Sequence, residues 1–298
     1  MNLIQPSYLK KGDKIAIVAP ARKISLEEIK SAIDILESWG LEVVLSKNLF
    51  KSDNQFSGTD NERADDLQTM LDDSSVKAII IARGGYGTIR IIDKLDFTKF
   101  KQQPKWIVGY SDLTVLHSHI HNFRIETLHA TMPINFTKNE AATESLRSAL
   151  FGEQLKYETG AHHLNKKGIC EGELIGGNLS LLYALTGSIS DIDTRGKVLF
   201  IEDLDEYLYH IDRMMLNLKR SGKLSRLVGL VVGGMTDMKD NAIPFGKNAE
   251  EIILDAVKEY NYPVCFNFPA GHIDKNMAIY FGKKVKLKVE EKITLEFL

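Results

Sequence analysis

Short, wholly apolar runs that alternate with capped amphipathic segments constrain this chain more than any other feature. Ile15-Ala16-Ile17-Val18-Ala19 and Ala78-Ile79-Ile80-Ile81-Ala82 contain no polar residue, so strands built from them have no face to offer water. Between these runs Leu26, Ile29, Ile33 and Leu36 recur on one helical face. Ser25 and Glu28 open that helix as a capping box, and Gly40 closes it. Leu41 to Leu45 reads as a second strand, Thr59 and Glu62 cap a further helix ending near Leu71, and a third buried run, Trp106-Ile107-Val108, follows Gly84-Gly85-Tyr86-Gly87 and a short helix. Buried strands separated by helices predict a parallel sheet covered on both faces across residues 1–150.

The pattern then changes. Residues 151–168 lose periodicity, carry Gly152, Gly160, His162-His163 and Lys166-Lys167, and read as a linker. Residues 169–298 read as a mixed β/α domain. Gly176-Gly177-Asn178 opens an apolar helix through Leu185, Lys197 to Ile201 is a strand ending in Glu202-Asp203, and an amphipathic helix surrounds Ile211 to Leu218. A strand over Leu227 to Val232 precedes a helix from Lys247 to Tyr260, with further strands near Val264, over Val285 to Val289 and over Ile293 to Phe297. The fold class expected is α/β in two domains.

Bulk properties exclude several classes of function. A net charge of −2 with no basic stripe argues against nucleic acid. The two cysteines, Cys170 and Cys265, are far apart and offer neither a disulfide framework nor a zinc ribbon. The apolar run at Ile15 is too short, and too closely preceded by Lys10, Lys11, Asp13 and Lys14, for a signal peptide. No run approaches membrane-spanning length, so a cytoplasmic protein with no membrane partner is expected.

In a parallel sheet the carboxyl ends of the strands form the ligand-binding edge. Gly109-Tyr110-Ser111-Asp112 stands there, between a strand and a helix. A serine on such a turn is held out of the sheet, with the next backbone N–H at a helix N-terminus, although the second glycine of G-x-S-x-G is absent. A serine nucleophile needs a base, and a base needs an orienting acid. His272, in the loop Asn267-Phe268-Pro269-Ala270-Gly271-His272, is the best-placed histidine. Glu202 at a strand end is the leading acid, with Asp203, Asp205 and Glu206 in competition. The Arg83-Gly84-Gly85-Tyr86-Gly87 loop matches no phosphate-binding motif and suits the second donor of an oxyanion hole. His117 and His121 share a helical face with His119 between them, but no glutamate intervenes and no third ligand is evident, so no metal is expected. Arg83 is the best-placed guanidinium for a substrate carboxylate, the alternative being that it pairs with Asp112 and braces the loop. A non-catalytic module binding a peptide or sugar is the rival from another class.

Taken in order, Gly12-Asp13-Lys14 with Ala19-Pro20-Ala21, Arg83-Gly84-Gly85-Tyr86-Gly87, Gly109-Tyr110-Ser111-Asp112, Gly176-Gly177-Asn178-Leu179, Ile201-Glu202-Asp203 and Pro269-Ala270-Gly271-His272 resemble the LD-carboxypeptidase family of serine peptidases. The resemblance spans nearly the whole chain. It implies a Ser111-Glu202-His272 triad shared between two domains and oxyanion donors at the N–H groups of Asp112 and Gly85. Beside Arg83, Asn178 is a secondary amide candidate for the substrate carboxylate. The resemblance further implies a flavodoxin-like or amidotransferase-like N-terminal domain, a homodimer, no cofactor, and hydrolysis of the bond between an L-centre and the terminal D-alanine of a cytoplasmic muropeptide during peptidoglycan recycling. A microcin C immunity-type peptidase or amidase is the nearest alternative, although the compact run from Asp191 to Asp240 leaves little room for the extended loop of those proteins. One departure is His129-Ala130-Thr131, where relatives often carry His-Gly-Pro.

Overall fold

The structure, a computed structural model, describes residues 3–298. The first half holds strands β1 (Lys14–Val18), β2 (Glu42–Leu45), β3 (Val76–Ile81), β4 (Trp106–Gly109) and β5 (Thr127–His129). Among them run helices α1 (Leu26–Ser38), α2 (Asp60–Asp72), α3 (Thr98–Gln102), α4 (Thr114–His121) and α5 (Glu140–Leu150). The strands pair in the order β5-β4-β3-β1-β2, every neighbour parallel. Both faces of the sheet are buried, as its apolar runs require. Ile15 and Ile17 of β1 pack in one cluster with Ile29 and Leu36 of α1, whereas Ala16 and Val18 pack in another with Leu67 and Leu71 of α2. The capping boxes at Ser25 and Thr59 are formed as the sequence predicts.

The second half contributes β6 (Lys156–Gly160), β7 (Gly168–Asn178), β8 (Lys197–Leu204), β9 (Gly229–Thr236), β10 (Val264–Cys265), β11 (Ile279–Phe281), β12 (Lys284–Val289) and β13 (Lys292–Phe297). Its helices are α6 (Leu179–Leu185), α7 (Leu208–Arg220) and α8 (Ala249–Val257). Its sheet runs β10-β9-β8-β7-β12-β13-β6, parallel from β10 to β7 and antiparallel beyond. The molecule is thus α/β, with one mainly parallel and one mixed sheet.

Two segments differ from the sequence reading. Residues 151–168 are more than a linker, because β6 pairs with β13 and closes the edge of the second sheet. Its side chains alternate exposed and buried about Tyr157, a short signal among glycines and charges. The segment before α6 is likewise the strand β7, whose glycines disguise it. At Gly176 (φ +133°) and Gly177 (φ +138°) a side chain would run into the Phe200 backbone and the Thr114 side chain respectively. Glycine is required there because β7 approaches both β8 and the start of α4.

The two sheets share material. β11 leaves the second half of the chain and joins the first sheet, antiparallel to β5, as its edge strand. One hydrophobic cluster accordingly contains Trp106, Leu128, Ile279 and Phe281 together with Leu174 and Phe200.

Candidate active site

The turn after β4 is a strained elbow. Ser111 adopts φ +65°, a left-handed conformation that costs a residue with a side chain about 1 to 2 kcal/mol. Gly109 precedes it at φ +149°, where a Cβ would lie 2.8 Å from Leu113. A single turn, Ser111–Leu113, then leads into α4, so the N–H of Asp112 sits where the helix dipole favours negative charge. The Asp112 side chain ties the elbow to the glycine loop, its Oδ2 accepting from the N–H of Thr88 at 2.8 Å. Burial pushes the carboxyl of Asp112 up. It does not pair with Arg83, whose Nη1 donates to Lys23 O at 3.3 Å and faces Glu28 Oε1 at 3.5 Å.

Across from the elbow, His272 hangs from the loop between β10 and β11. Its Nε2 stands 3.0 Å from Ser111 Oγ and its Nδ1 2.6 Å from Glu202 Oε2. The backbone N–H of His272 donates to the same Glu202 oxygen at 3.1 Å. The His272 carbonyl accepts from Thr236 Oγ1 at 2.7 Å, and Asn276 Oδ1 accepts from the N–H of Gly271 at 2.8 Å. Gly271 must be glycine, because at φ +105° a Cβ would lie 2.7 Å from that of Glu202. The Tyr110 ring lies 4.9 Å from the imidazole and closes one side of it.

β8 decides which acid serves. Successive residues of a strand face opposite ways, and because both faces of β8 are covered, Glu202 and Asp203 are each buried on their own side. Glu202 faces His272, while Asp203 accepts from Asn178 Nδ2 at 2.8 Å and from the Ser180 N–H at 2.9 Å. Glu206 lies further on and pairs with His210 Nδ1 at 2.5 Å. Burial, joined by the negative charge of Glu202, pushes Asp203 up to about 6. Burial pulls the His272 imidazole down, but the charge of Glu202 and its hydrogen bond outweigh this, with help from Asp203, and hold it above the ordinary value.

Ser111 and His272 line a cleft of about 710 Å³, together with Arg83, Gly84, Gly85, Tyr86, Asn135, Asp205 and Glu206, while Glu202 is buried behind His272. A Cβ on Gly84 would come within 3.1 Å of Ser111 Oγ, so the glycine loop lies directly against the hydroxyl. Asn178 does not reach this cleft. Its Oδ1 caps α6 through the N–H of Leu181 at 3.3 Å and its Nδ2 holds Asp203, which makes it a brace inside the fold, contrary to the expected substrate contact. His117 bonds Thr127 Oγ1 and the Gly109 carbonyl, His119 bonds Ser190 Oγ, and His121 faces Glu173, so the three imidazoles point to different partners. Arg22, Asn135 and Lys138 also line the cleft. None of the three has a sequence signal of its own, because Arg22 stands just past Ala19-Pro20-Ala21 and Asn135 and Lys138 belong to no motif.

Residues 15–130 match the LD-carboxypeptidase N-terminal domain and residues 171–287 the LD-carboxypeptidase C-terminal domain. Over 97% of this chain and 92% of the relative, the sequence is 37% identical to the probable murein peptide carboxypeptidase of Bacillus subtilis (strain 168). The chain belongs to the LD-carboxypeptidase family. This LD-carboxypeptidase is 26% identical to the murein tetrapeptide carboxypeptidase of Pseudomonas aeruginosa, over 92% of this chain and 93% of that one. Its fold superimposes on the muramoyltetrapeptide carboxypeptidase from Oxalobacter formigenes with a TM-score of 0.87 and 27% identity, over 95% and 98% of the two chains. The microcin C7 self immunity protein in complex with aspartyl sulfamoyl adenosine has the same fold, with a TM-score of 0.87 at 22% identity over 99% and 98% of the chains. The protein is a serine carboxypeptidase by family. Among the described residues, no helix is long and apolar enough to cross a membrane.

Proposed function

We propose that this LD-carboxypeptidase removes the terminal D-alanine from murein tetrapeptides in the cytoplasm, as a step of peptidoglycan recycling, with Ser111, His272 and Glu202 as its catalytic triad. The observation that carries the reading is the unbroken hydrogen-bonded line from Ser111 Oγ, in an open cleft, through both nitrogens of His272 to the buried Glu202. A binding module has no use for a strained serine held 3.0 Å from an imidazole. The 37% identity to a probable murein peptide carboxypeptidase favours muropeptide over a microcin-type substrate, since the likeness to the immunity protein is one of fold.

In this mechanism Ser111 Oγ attacks the carbonyl of the L-centre as His272 Nε2 takes its proton. Glu202 stabilises the imidazolium that forms, through the Oε2 that faces Nδ1 at 2.6 Å. The oxyanion is held by the N–H groups of Asp112 and of Gly85 in the adjoining loop. His272 then protonates the departing D-alanine nitrogen, and water, deprotonated by the same imidazole, releases the acyl group and restores Ser111. Apart from that water, the groups that act are those of the protein, and a homodimer is the expected assembly.

Incubation with the free tetrapeptide, followed by mass spectrometry, tests the reading. Loss of one alanine is expected, together with labelling of Ser111 by a serine-reactive phosphonate. An unlabelled Ser111 and an intact tetrapeptide would refute it.

A further inference from the structure

Arg22 is a cation in the cleft that the mechanism above leaves without a task. It lies in the loop between β1 and α1, is exposed, and lines the cleft with Gly84, Gly85, Ser111 and His272. Neighbouring guanidiniums are committed: Arg63 and Arg90 both hold Asp60, and Arg83 faces Glu28. Arg22 makes no ion pair among the described residues.

Its stem packs against Gly85. A Cβ there would fall 2.5 Å from Arg22 Cδ and 3.2 Å from its Nε. The stem of Arg22 therefore lies along the face of the loop whose neighbouring residue, Gly84, touches Ser111. The glycine pair separates the nucleophile from the guanidinium by one short stretch of backbone, and Gly85 lacks a side chain where Arg22 needs the space.

The leaving residue of a carboxypeptidase carries its free carboxylate one carbon beyond the scissile nitrogen. With the carbonyl carbon on Ser111 and its oxygen toward the loop, that carboxylate is confined to the neighbourhood of the same loop. We infer that Arg22 anchors the terminal carboxylate of the substrate. A planar guanidinium can grip a carboxylate through two parallel hydrogen bonds, which the single ammonium of Lys138 in the same cleft cannot do. The inference rests on the carboxypeptidase reading and names the residue that restricts the enzyme to chain ends.

The test is calorimetric binding to the Ser111→Ala protein of two probes, the tetrapeptide with a free D-alanine carboxylate and the same peptide amidated at that carboxylate. Amidation should weaken binding roughly 10- to 100-fold with Arg22 present and by less than about threefold in Ser111→Ala/Arg22→Gln. In the enzyme with Ser111 intact, Arg22→Gln should raise KM for the free acid while kcat changes little, and Arg22→Lys should restore part of the loss. Equal binding of acid and amide with Arg22 present overturns the inference even where alanine is released. So does discrimination that survives Arg22→Gln, or that disappears in Lys138→Gln instead. Discrimination that depends on Arg22 in a protein that releases no alanine upholds the anchor and refutes the peptidase reading.

Discussion

One carboxylate oxygen of Glu202 receives both the ring and the backbone of His272, at 2.6 Å from Nδ1 and 3.1 Å from N. Two donors from a single residue fix the imidazole in rotation as well as in position, so that Nε2 is turned to Ser111. The tautomer follows from the same contact: Nδ1 carries the proton and Nε2 is free to accept one.

Removal of any member of this line has a calculable consequence. Ser111→Ala and His272→Ala should each lower kcat roughly 10⁶-fold, as much as loss of the whole triad, because the groups act as a unit. Glu202→Gln should cost less, on the order of 10⁴-fold, since the base remains but its orientation and charge partner are lost. Glu206→Gln, which disturbs His210 instead, should leave kcat within about threefold of wild type. Steady-state kinetics on the tetrapeptide decides, and a damaging Glu206→Gln with a harmless Glu202→Gln would reverse the assignment.

The pH profile carries a sign. Because Glu202 holds His272 above its ordinary value of 6.5, the imidazole stays protonated, and useless as a base, to higher pH than a free histidine. The kcat/KM curve should therefore rise with pH along a limb whose midpoint lies above 6.5, and in Glu202→Gln that midpoint should fall. By the same linkage the pair stabilises the fold fully below the unfolded histidine value, and its contribution is lost as pH rises through the folded one.

Gly176 and Gly187 provide a paired test of why the glycines matter. Both have positive φ, at +133° and +83°, but a Cβ at Gly187 meets nothing within 4 Å, whereas one at Gly176 collides with the backbone of Phe200. Gly187→Ala should cost about 1 kcal/mol, the ordinary left-handed penalty. Gly176→Ala should cost roughly 3 kcal/mol or more, because β7 must move away from β8, and it should also depress kcat by displacing Glu202 two residues further along β8. Urea midpoints measure the first effect and kinetics the second.

How far the sequence could be read divides along physical lines. The buried strands of the first sheet, the two capping boxes and the elbow at Ser111 were legible because each is a local pattern whose cause lies within a few residues. His272 and Glu202 could be named because a loop after a strand and the end of a strand are places where function accumulates. β7 is hidden by glycines that serve close approach between elements, a requirement invisible without the partner element, and β6 by having one buried side chain, Tyr157, in five residues. Asn178 misleads for a related reason: its amide looks available until Asp203 and the α6 N-terminus claim it. Arg22 and Lys138 had no local signal, since only the folded chain places residues so far apart in one cleft.

Glu126 offers a separate test of stability. It is buried beneath Gly282, its Oε2 has no hydrogen bond, and burial pushes its carboxyl up to about 7, with Lys283 opposing and Glu173 adding to the shift. A raised carboxyl favours the folded state fully below the unfolded value near 4.5, and that contribution is lost as pH rises through 7. Glu126→Gln should therefore stabilise the protein at pH 8, by on the order of 3 kcal/mol at most, and leave it unchanged at pH 4.5. Thermal melts at the two values check this, and an equal shift at both would assign the effect to packing.

The placement of β11 bears on the life of the nascent chain. His272 is strung between β10, in one sheet, and β11, which is the edge of the other. A polypeptide still emerging from the ribosome can complete β1 to β5 and present Ser111 long before either anchor of the histidine loop exists. Hydrolysis thus awaits synthesis of the chain through β11, and a copy interrupted before that strand carries the nucleophile but has no means of using it.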